Sequence, residues 1–471
     1  MNVGPPERLK RLQRLLPRGE LRLDEPTRQR YAGDKWFATR LPDAVALPRS
    51  TRSVATILRF AHRHRVPVTA RGTGHGYVGG CVAARGGIVL SVERMNRIKE
   101  INVEDFVAVV GPGVITQRLQ DAVEARGLYY PPDPASRADC SLGGNIATNA
   151  GGPRCLKYGV TRDYVLGVEV VLANGTAMRL GSRTHKNKTG FDLGRLFVGS
   201  EGLLGVVTEA TLKLLPLPPF RACLGLGFAS MASAVRAIRA VFAAGVLPSA
   251  LEIADAFTLA AARKRTGSSL LRGCRAHIIV ELDGQESSVR GELRRLEQIV
   301  REQRPVFVQR GYGTEGCEQF WQLRREFSYA LRDTGLTKLN EDIVVPRGKL
   351  EHLFKFAARL QKRHRLAVAC FGHAGDGNIH VNLMVDQPQP AATRRARRAL
   401  DELFRQVLAW GGVITGEHGV GLAKKRWWPT AVPPEVRALH ATIKQALDPQ
   451  GILNPGKFVA TTARQRRPVR A

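Results

Sequence analysis

The sequence predicts an α+β protein of more than one domain, on three observations. The chain has 471 residues, more than one hydrophobic core organises. From Asp43 to Pro219 short apolar runs alternate with glycines, whereas beyond Pro219 strand-like and helix-like runs interleave. At 44% hydrophobic and 24% charged residues, the composition is that of globular material rather than a disordered or fibrous chain. The expected domains are 1–219 (core 42–219), 220–420, and a C-terminal segment 421–471.

The elements follow in order. DAVALPRS precedes SVATILRFAHRHR, whose apolar residues recur at helical spacing, and then VPVTA, a β-rich run. IVLSVE, FVAVVGPGV and YVLGVEVVLANG are further strands, the last closing on an Asn174-Gly175 turn. EGLLGVVTEATLKLLPLPP ends the region, and Pro216, Pro218 and Pro219 mark a boundary. Next come strand RACLGLGFA, helix MASAVRAIRAVFAAG, strand AHIIVELDG and helix SSVRGELRRLEQIVREQ. A helix around FWQLRREFSYALR, strand DIVVP, helix KLEHLFKFAARLQKRH and strands LAVACFG and NIHVNLMV complete the pattern. Such mixing suggests helices packed on one face of an antiparallel sheet.

Seven cysteines are dispersed with no CxxC pair, which argues against structural zinc and cysteine-ligated iron–sulfur clusters and suits a reducing compartment. MNVGPPERLKRLQRLLPRGE lacks an apolar h-region, and no run of 18 apolar residues occurs, so the expectation is a cytoplasmic chain. Contact with the inner membrane surface stays open, because the net charge is +31. Local clusters are RRARR at 394–398 and ARQRRPVR at 463–470, the latter resembling a mobile tail. A basic, non-enzymatic binder of nucleic acid or membrane surface is one alternative. No helix-turn-helix, zinc-finger or aromatic-rich RNA motif accompanies the charge, and aromatics are 6%, so no nucleic-acid partner is expected.

RGTGHGYVGG (71–80) contains the spacing Gly74-x-Gly76-x-x-Gly79. A dinucleotide fingerprint of that form must open a helix, yet CVAARGG leads directly into strand IVLSVE. No Gly-Lys-Ser/Thr follows, so a Walker loop fails too. Successive amides in a glycine-rich loop still bind anions without a helix. A second block, DPASRADCSLGGNIATNAGGPRCLKYGVTRDYV (133–165), pairs glycines with Asn, Thr and Ser. Small residues admit a large flat ligand, and the polar ones offer amides and hydroxyls.

GHAGDGNIHVN (372–382) places His373 before a glycine-rich turn, with His380 and Asn382 on one face of the following strand. The turn can return His373 beside His380. ITGEHGVG (414–421) adds Glu417 and His418. Two histidines and a carboxylate with open positions suit a catalytic divalent metal.

Together with FVGSEGLLGVVTEATL (197–212) and ILNPGKF (452–458), these blocks resemble the FAD-binding domain of the vanillyl-alcohol-oxidase type. More narrowly they resemble the glycolate oxidase D-subunit, D-lactate dehydrogenase and D-2-hydroxyglutarate dehydrogenase group, over about Leu41–Phe458. The resemblance implies a two-subdomain FAD-binding domain followed by an α+β substrate (cap) domain with an antiparallel sheet. Gly72, Thr73, Gly74, His75, Gly76, Gly79 and Gly80 would hold the FAD diphosphate, with Arg71 beside them. Pro134, Ser136, Ser141, Gly143, Gly144, Asn145, Asn149 and Gly151 would line the flavin and ribityl region. Glu201, Gly202 and Val206 would meet the adenosine end or flavin rim, and Asn454, in the closing motif, would also serve the cofactor.

The same resemblance makes His373, His380 and Glu417 ligands of a divalent metal, zinc or manganese. It makes His418 the base, Arg324 and Lys338 the cations for a substrate carboxylate, and Asn382 a contact to substrate or flavin. The implied reaction oxidises a small anionic D-2-hydroxy acid of the lactate, glycolate or 2-hydroxyglutarate class by hydride transfer to flavin N5. A separate acceptor would reoxidise the flavin: an iron–sulfur partner protein, a quinone, a cytochrome or an electron-transfer flavoprotein.

His75 departs from this group. Arg71, Gly74, His75 and Tyr77 instead reproduce the R-x-x-G-H-x-Y pattern of sugar oxidases that bond the histidine to flavin. A covalent tether and a hydrogen bond to the diphosphate are both compatible with the sequence. The tether would favour a covalent-flavin oxidase of alcohols or sugars using O₂, a branch that lacks the His373/His380/Glu417 set. The ether-lipid synthases of this fold carry consecutive histidines where this chain has Gly416-Glu417-His418-Gly419, which argues against that class.

Overall fold

The computed structural model describes residues 5–268, 271–386 and 389–459; the basic run at 463–470 lies outside them. Contacts divide the chain into two units. Met1–Ala150, Val160–Leu217 and Glu417–Ala471 form the first, and Gly151–Gly159 and Pro218–Gly416 the second.

The first unit opens with β1 (Leu21–Arg22), β2 (Ala44–Ala46), β3 (Val68–Arg71) and β4 (Ile88–Ser91), in sheet order β1-β2-β4-β3. β2, β4 and β3 are parallel, and β1 joins antiparallel. Parallel strands need a crossover, and the amphipathic run after DAVALPRS supplies it as helix Thr51–His64. Ser50 caps it through Ser53 N, Arg65 ends it in the left-handed conformation, and Val54, Ile57, Leu58 and Ala61 bury its apolar stripe on the sheet. Each aliphatic side chain so buried contributes on the order of 2 kcal/mol. No helix follows β3, as expected, and residues 72–87 run as turns into β4.

A second, antiparallel sheet uses β5 (Ile98–Asn102), β6 (Val107–Val110), β8 (Val165–Val171), β9 (Ala177–Gly181) and β10 (Val206–Lys213), while β7 (Leu128–Tyr129) pairs with β11 (Leu215–Pro216). The predicted Asn-Gly turn joins β8 to β9: Gly175 has φ +85°, and Asn174 Oδ1 accepts from Thr176 N. Ile452–Asn454 run beside β3, with Val68 N donating to Ile452 O and Asn454 N to Val68 O.

The second unit is built on seven antiparallel strands: β12 (Phe220–Phe228), β13 (Ala250–Asp255), β14 (Ala276–Gly284), β15 (Phe307–Tyr312), β16 (Thr337–Val344), β17 (Ala367–His373) and β18 (Asn378–Val385). Their order is β15-β12-β14-β13-β17-β18-β16. The expected single helical layer is two layers here. Cys223 and Leu224 point to opposite faces of β12 and are both fully buried, so both faces of the sheet are covered. Helices Ala256–Thr266 and Gly313–Arg332 pack as a pair on the Cys223 side, and Met231–Ala243, Glu286–Arg301, Leu350–His364 and Pro390–Ala409 form the other layer. RRARR is the solvated face of the last helix: Arg394, Arg397 and Arg398 are exposed while Ala396 is buried.

The excursion 151–159 joins the second unit through side chains. Arg154 forks onto the buried carboxylate of Glu281 (Nε 3.0 Å, a terminal nitrogen 2.8 Å), and Lys157 and Tyr158 both reach Asp283. A linear reading of the chain has no means of seeing this exchange.

Candidate active site

In the second unit, strand register assembles the polar centre. The β17–β18 hairpin closes through Gly377 N donating to His373 O (3.1 Å) and Asn378 N to Asp376 Oδ1 (3.0 Å). The turn therefore brings His373 and His380 together, with ring centroids 5.7 Å apart and planes at 78°, both buried. Asp342 of β16 lies directly opposite His380 in the ladder. Its carboxylate accepts from Thr415 Oγ1 (3.2 Å) and from Gly416 N (2.9 Å).

Glu252 of β13 pairs across the ladder with His373. One carboxylate oxygen takes His373 Nδ1 at 2.5 Å, and the other takes Arg324 Nε at 2.6 Å. Burial pushes this carboxyl up, but the charges of His373 and Arg324 and their hydrogen bonds outweigh it and hold it down at about 2. Arg324 lies with Cζ 4.7 Å over the Phe371 ring. Lys338 donates to Ser328 Oγ (2.7 Å), one helical turn from Arg324. Burial, then the charges of Arg332 and Arg324, push its ammonium down to about 8. Asn382 is fully buried; its amide nitrogen serves Ala369 O and His380 O, and its Oδ1 takes no hydrogen bond among the described residues.

Cys223, Glu281 and Cys317 also bring potential ligand atoms within 4.8 Å of one another. Glu281, however, already accepts from Arg154 and from Trp321 Nε1 (2.6 Å). A guanidinium there opposes a second cation, so this trio is a buried ion-pair core.

In the first unit the two glycine blocks abut. A Cβ on Gly72 would stand 2.4 Å from Ser141 Oγ, and one on Gly143 2.7 Å from Pro112, so only glycine permits the approach. Ser141 caps helix Leu142–Thr148, accepting from Gly144 N. Among the described residues, no backbone carbonyl takes the amide N–H of Thr73, Gly74, His75, Gly76 or Tyr77, and this stretch is at least partly exposed. Small side chains and uncommitted amides fit the diphosphate of a dinucleotide. His75 is half-buried, its Nδ1 3.4 Å from Thr73 Oγ1 and its Nε2 3.9 Å from Asp139. Burial lowers its pKa, against the pull of Asp139.

Other residues of the predicted set have internal partners. Arg71 donates to Gly33 O (2.6 Å) and lies over Tyr31. Asn145 donates to Thr116 Oγ1 (2.7 Å), and Asn149 Oδ1 accepts from Arg162 N (2.8 Å). Pro134 and Ser136 carbonyls close turns onto Arg137, Asp139 and Cys140. Val206 sits in the core beneath β3 and β4, and Gly151 falls in the second unit. Glu201 is buried with φ +49°, next to Gly202 at φ +69°, and accepts from Val420 N and Gly421 N. Asn454 Nδ2 donates to Glu201 O and Gly80 O, and Lys457 Nζ to Gly79 O and Val82 O. These bonds brace the loop at Gly79–Gly80. His418 follows with its ring 5.2 Å from that of Tyr77.

The sequence reading missed Glu252, Asp342 and Lys457. The available signal was a charge inside an apolar strand, as in ALEIAD and NEDIVV, because a buried charge is almost always paired.

Comparison with known proteins agrees with this architecture. Residues 42–181 match the family "FAD binding domain" and residues 217–458 the family "FAD linked oxidases, C-terminal domain". The chain is 40% identical over 426 residues to the glycolate oxidase subunit GlcD of Bacillus subtilis, covering 90% of this chain and 91% of that protein. It is 31% identical to D-lactate dehydrogenase of Anaerostipes hadrus, over 97% and 98% of the two chains. Among solved structures, p-cresol methylhydroxylase superposes with a TM-score of 0.81 at 19% identity, covering 98% of both chains. The expected vanillyl-alcohol-oxidase type of fold, an FAD-binding domain followed by an α+β domain, is therefore met.

Proposed function

The chain belongs to the FAD-linked oxidases, and from that premise we propose that it oxidises a D-2-hydroxy acid to the 2-oxo acid, its electrons leaving through FAD to a separate acceptor. The carrying observation is the pairing of two largely buried cations, Arg324 and Lys338, beside the His373–His380 hairpin. Burial and the nearby charge of Arg324 depress the Lys338 ammonium, which calls for an anion beside it, and a substrate carboxylate can meet Lys338 and the terminal nitrogens that Arg324 keeps beside Glu252. The relatives named for glycolate and lactate are named for substrates of that class.

FAD, when bound, would supply the hydride acceptor, and His373 and His380, with Glu417 as the resemblance implies, would hold a zinc or manganese ion that would supply Lewis acidity at the substrate oxygens. Arg324 and Lys338 orient the substrate by its carboxylate. An imidazole nitrogen of His418 takes the proton from the 2-hydroxyl oxygen. Tyr77 packs against His418 and limits its ring rotation. Asn382 Oδ1 is the remaining acceptor for a substrate or flavin N–H or O–H. The main-chain amides of Thr73–Gly76 would hold the diphosphate, with the loop braced at Gly79–Gly80 and His75 as a hydrogen-bonding neighbour rather than a tether.

The test is turnover of a D- and L-2-hydroxy-acid panel with an artificial electron acceptor, reading 2-oxo acid formed. Turnover of D-acids, lost on chelation and restored by Zn²⁺ or Mn²⁺, is the expected result. Absence of 2-oxo acid from every member, with FAD bound, contradicts the assignment.

A further inference from the structure

We propose that Glu252 is the positioning residue that sets both the metal-facing nitrogen of His373 and the substrate-facing edge of Arg324. This rests on the reading of His373 as a ligand and Arg324 as the carboxylate site. Glu252 is buried, and each of its oxygens has one partner: His373 Nδ1 at 2.5 Å and Arg324 Nε at 2.6 Å. A carboxylate only accepts. In a neutral imidazole the proton therefore sits on Nδ1, which leaves the lone pair of Nε2 for a cation. On Arg324, occupation of Nε leaves the two terminal nitrogens as the recognition edge. Phe371, 4.7 Å beneath Cζ, keeps the guanidinium plane from swinging. One strand residue thus fixes two groups that reach it from β17 and from helix Gly313–Arg332.

The isosteric carboxamide cannot do both jobs. With its oxygen on Arg324 Nε, a Glu252→Gln side chain turns its NH₂ toward His373 Nδ1, which favours the tautomer with the proton on Nε2. With its oxygen on His373, the NH₂ opposes the N–H of Arg324. Either arrangement spoils one function while conserving volume.

The experiment uses FAD-loaded enzyme stripped of metal. Mn²⁺ alone is titrated and followed by the electron-spin resonance of the free ion. Oxalate, a mimic of a 2-hydroxy carboxylate that cannot be oxidised, is then titrated at saturating Mn²⁺ and followed through the flavin spectrum. For Glu252→Gln we expect Mn²⁺ affinity to fall roughly 10–100-fold, or oxalate affinity to fall about tenfold or more. In the second case KM rises more than kcat falls. If neither affinity moves, the proposal is overturned. Should Glu252→Gln fail to fold, Glu252→Asp keeps the charge but is too short to span both partners, and the same criterion applies. Wild-type enzyme that binds no Mn²⁺ overturns the metal reading itself, whatever the variant does. Oxalate titrated without metal then decides the Arg324 half alone.

Discussion

Glu201 accepts two backbone hydrogen bonds from the far end of the chain, from Val420 N at 2.7 Å and Gly421 N at 2.9 Å, 219 and 220 residues away in sequence. His418 sits just before those amides, so this carboxylate holds the loop that presents the proposed base. Burial raises the pKa of Glu201, and the two amides oppose that rise. Glu201→Gln keeps one good acceptor and turns an N–H against the other amide. We expect a loss of about 1–3 kcal/mol in urea denaturation, with slower flavin reduction. An unchanged denaturation midpoint and unchanged rate contradict the bracing role.

Lys338 gives the site a pH dependence whose sign is fixed. Its ammonium, pushed down to about 8 by burial and then by Arg332 and Arg324, carries charge below that pH and loses it above. Oxalate affinity should therefore fall as pH rises through about 8, the inflection moving higher once the anion is bound. Lys338→Met should bind about tenfold more weakly at neutral pH and show no inflection in that window. A lysine whose folded pKa is depressed opposes folding while charged, so the same variant should be more stable at neutral pH. An inflection that persists in Lys338→Met assigns it to another group.

Arg154 anchors the excursion 151–159. Its partner Glu281 is fully buried and also takes Trp321 Nε1, so Arg154→Ala leaves the buried carboxylate with Arg221, at 3.6 Å, as its remaining guanidinium, and the loss should fall at or below the lower end of the range for a broken buried pair. Removing one partner of such a pair costs roughly 3–5 kcal/mol, readable as a lower thermal or urea midpoint. Arg154→Lys should recover only part, because an ammonium cannot reproduce the two-nitrogen fork. A midpoint within experimental error of wild type for Arg154→Ala contradicts this anchoring.

What the sequence made legible was local. The β17–β18 hairpin was readable because Gly-Asp-Gly is turn chemistry and NIHVN alternates with period two, which alone puts His380 and Asn382 on one face. Helix Thr51–His64 was readable from its apolar spacing. Helix Leu142–Thr148 was not: Leu-Gly-Gly-Asn-Ile-Ala-Thr has poor intrinsic helix propensity, and the Ser141 cap with the packing of Gly143 on Pro112 overrides it. Glu252 was invisible for another reason. Its role depends on a ladder with β17, 121 residues away, and no local pattern records that register.

His75 separates two cofactor attachments. Its pKa is lowered by burial, and Thr73 and Asp139 flank its two nitrogens. We expect acid precipitation to release the yellow flavin into the supernatant, and His75→Ala to weaken FAD retention without abolishing it. Colour retained in the pellet of wild type, and released only from His75→Ala, identifies a covalent bond instead.

Oxidation of a 2-hydroxy acid by this protein is read in one step by anaerobic mixing of FAD-loaded enzyme with D-lactate, glycolate and D-2-hydroxyglutarate, following the visible flavin band. We expect bleaching by at least one of these acids, and loss of that bleaching in His418→Ala with FAD still bound. A flavin that stays oxidised with every 2-hydroxy acid, or a His418→Ala protein that bleaches at the wild-type rate, contradicts it.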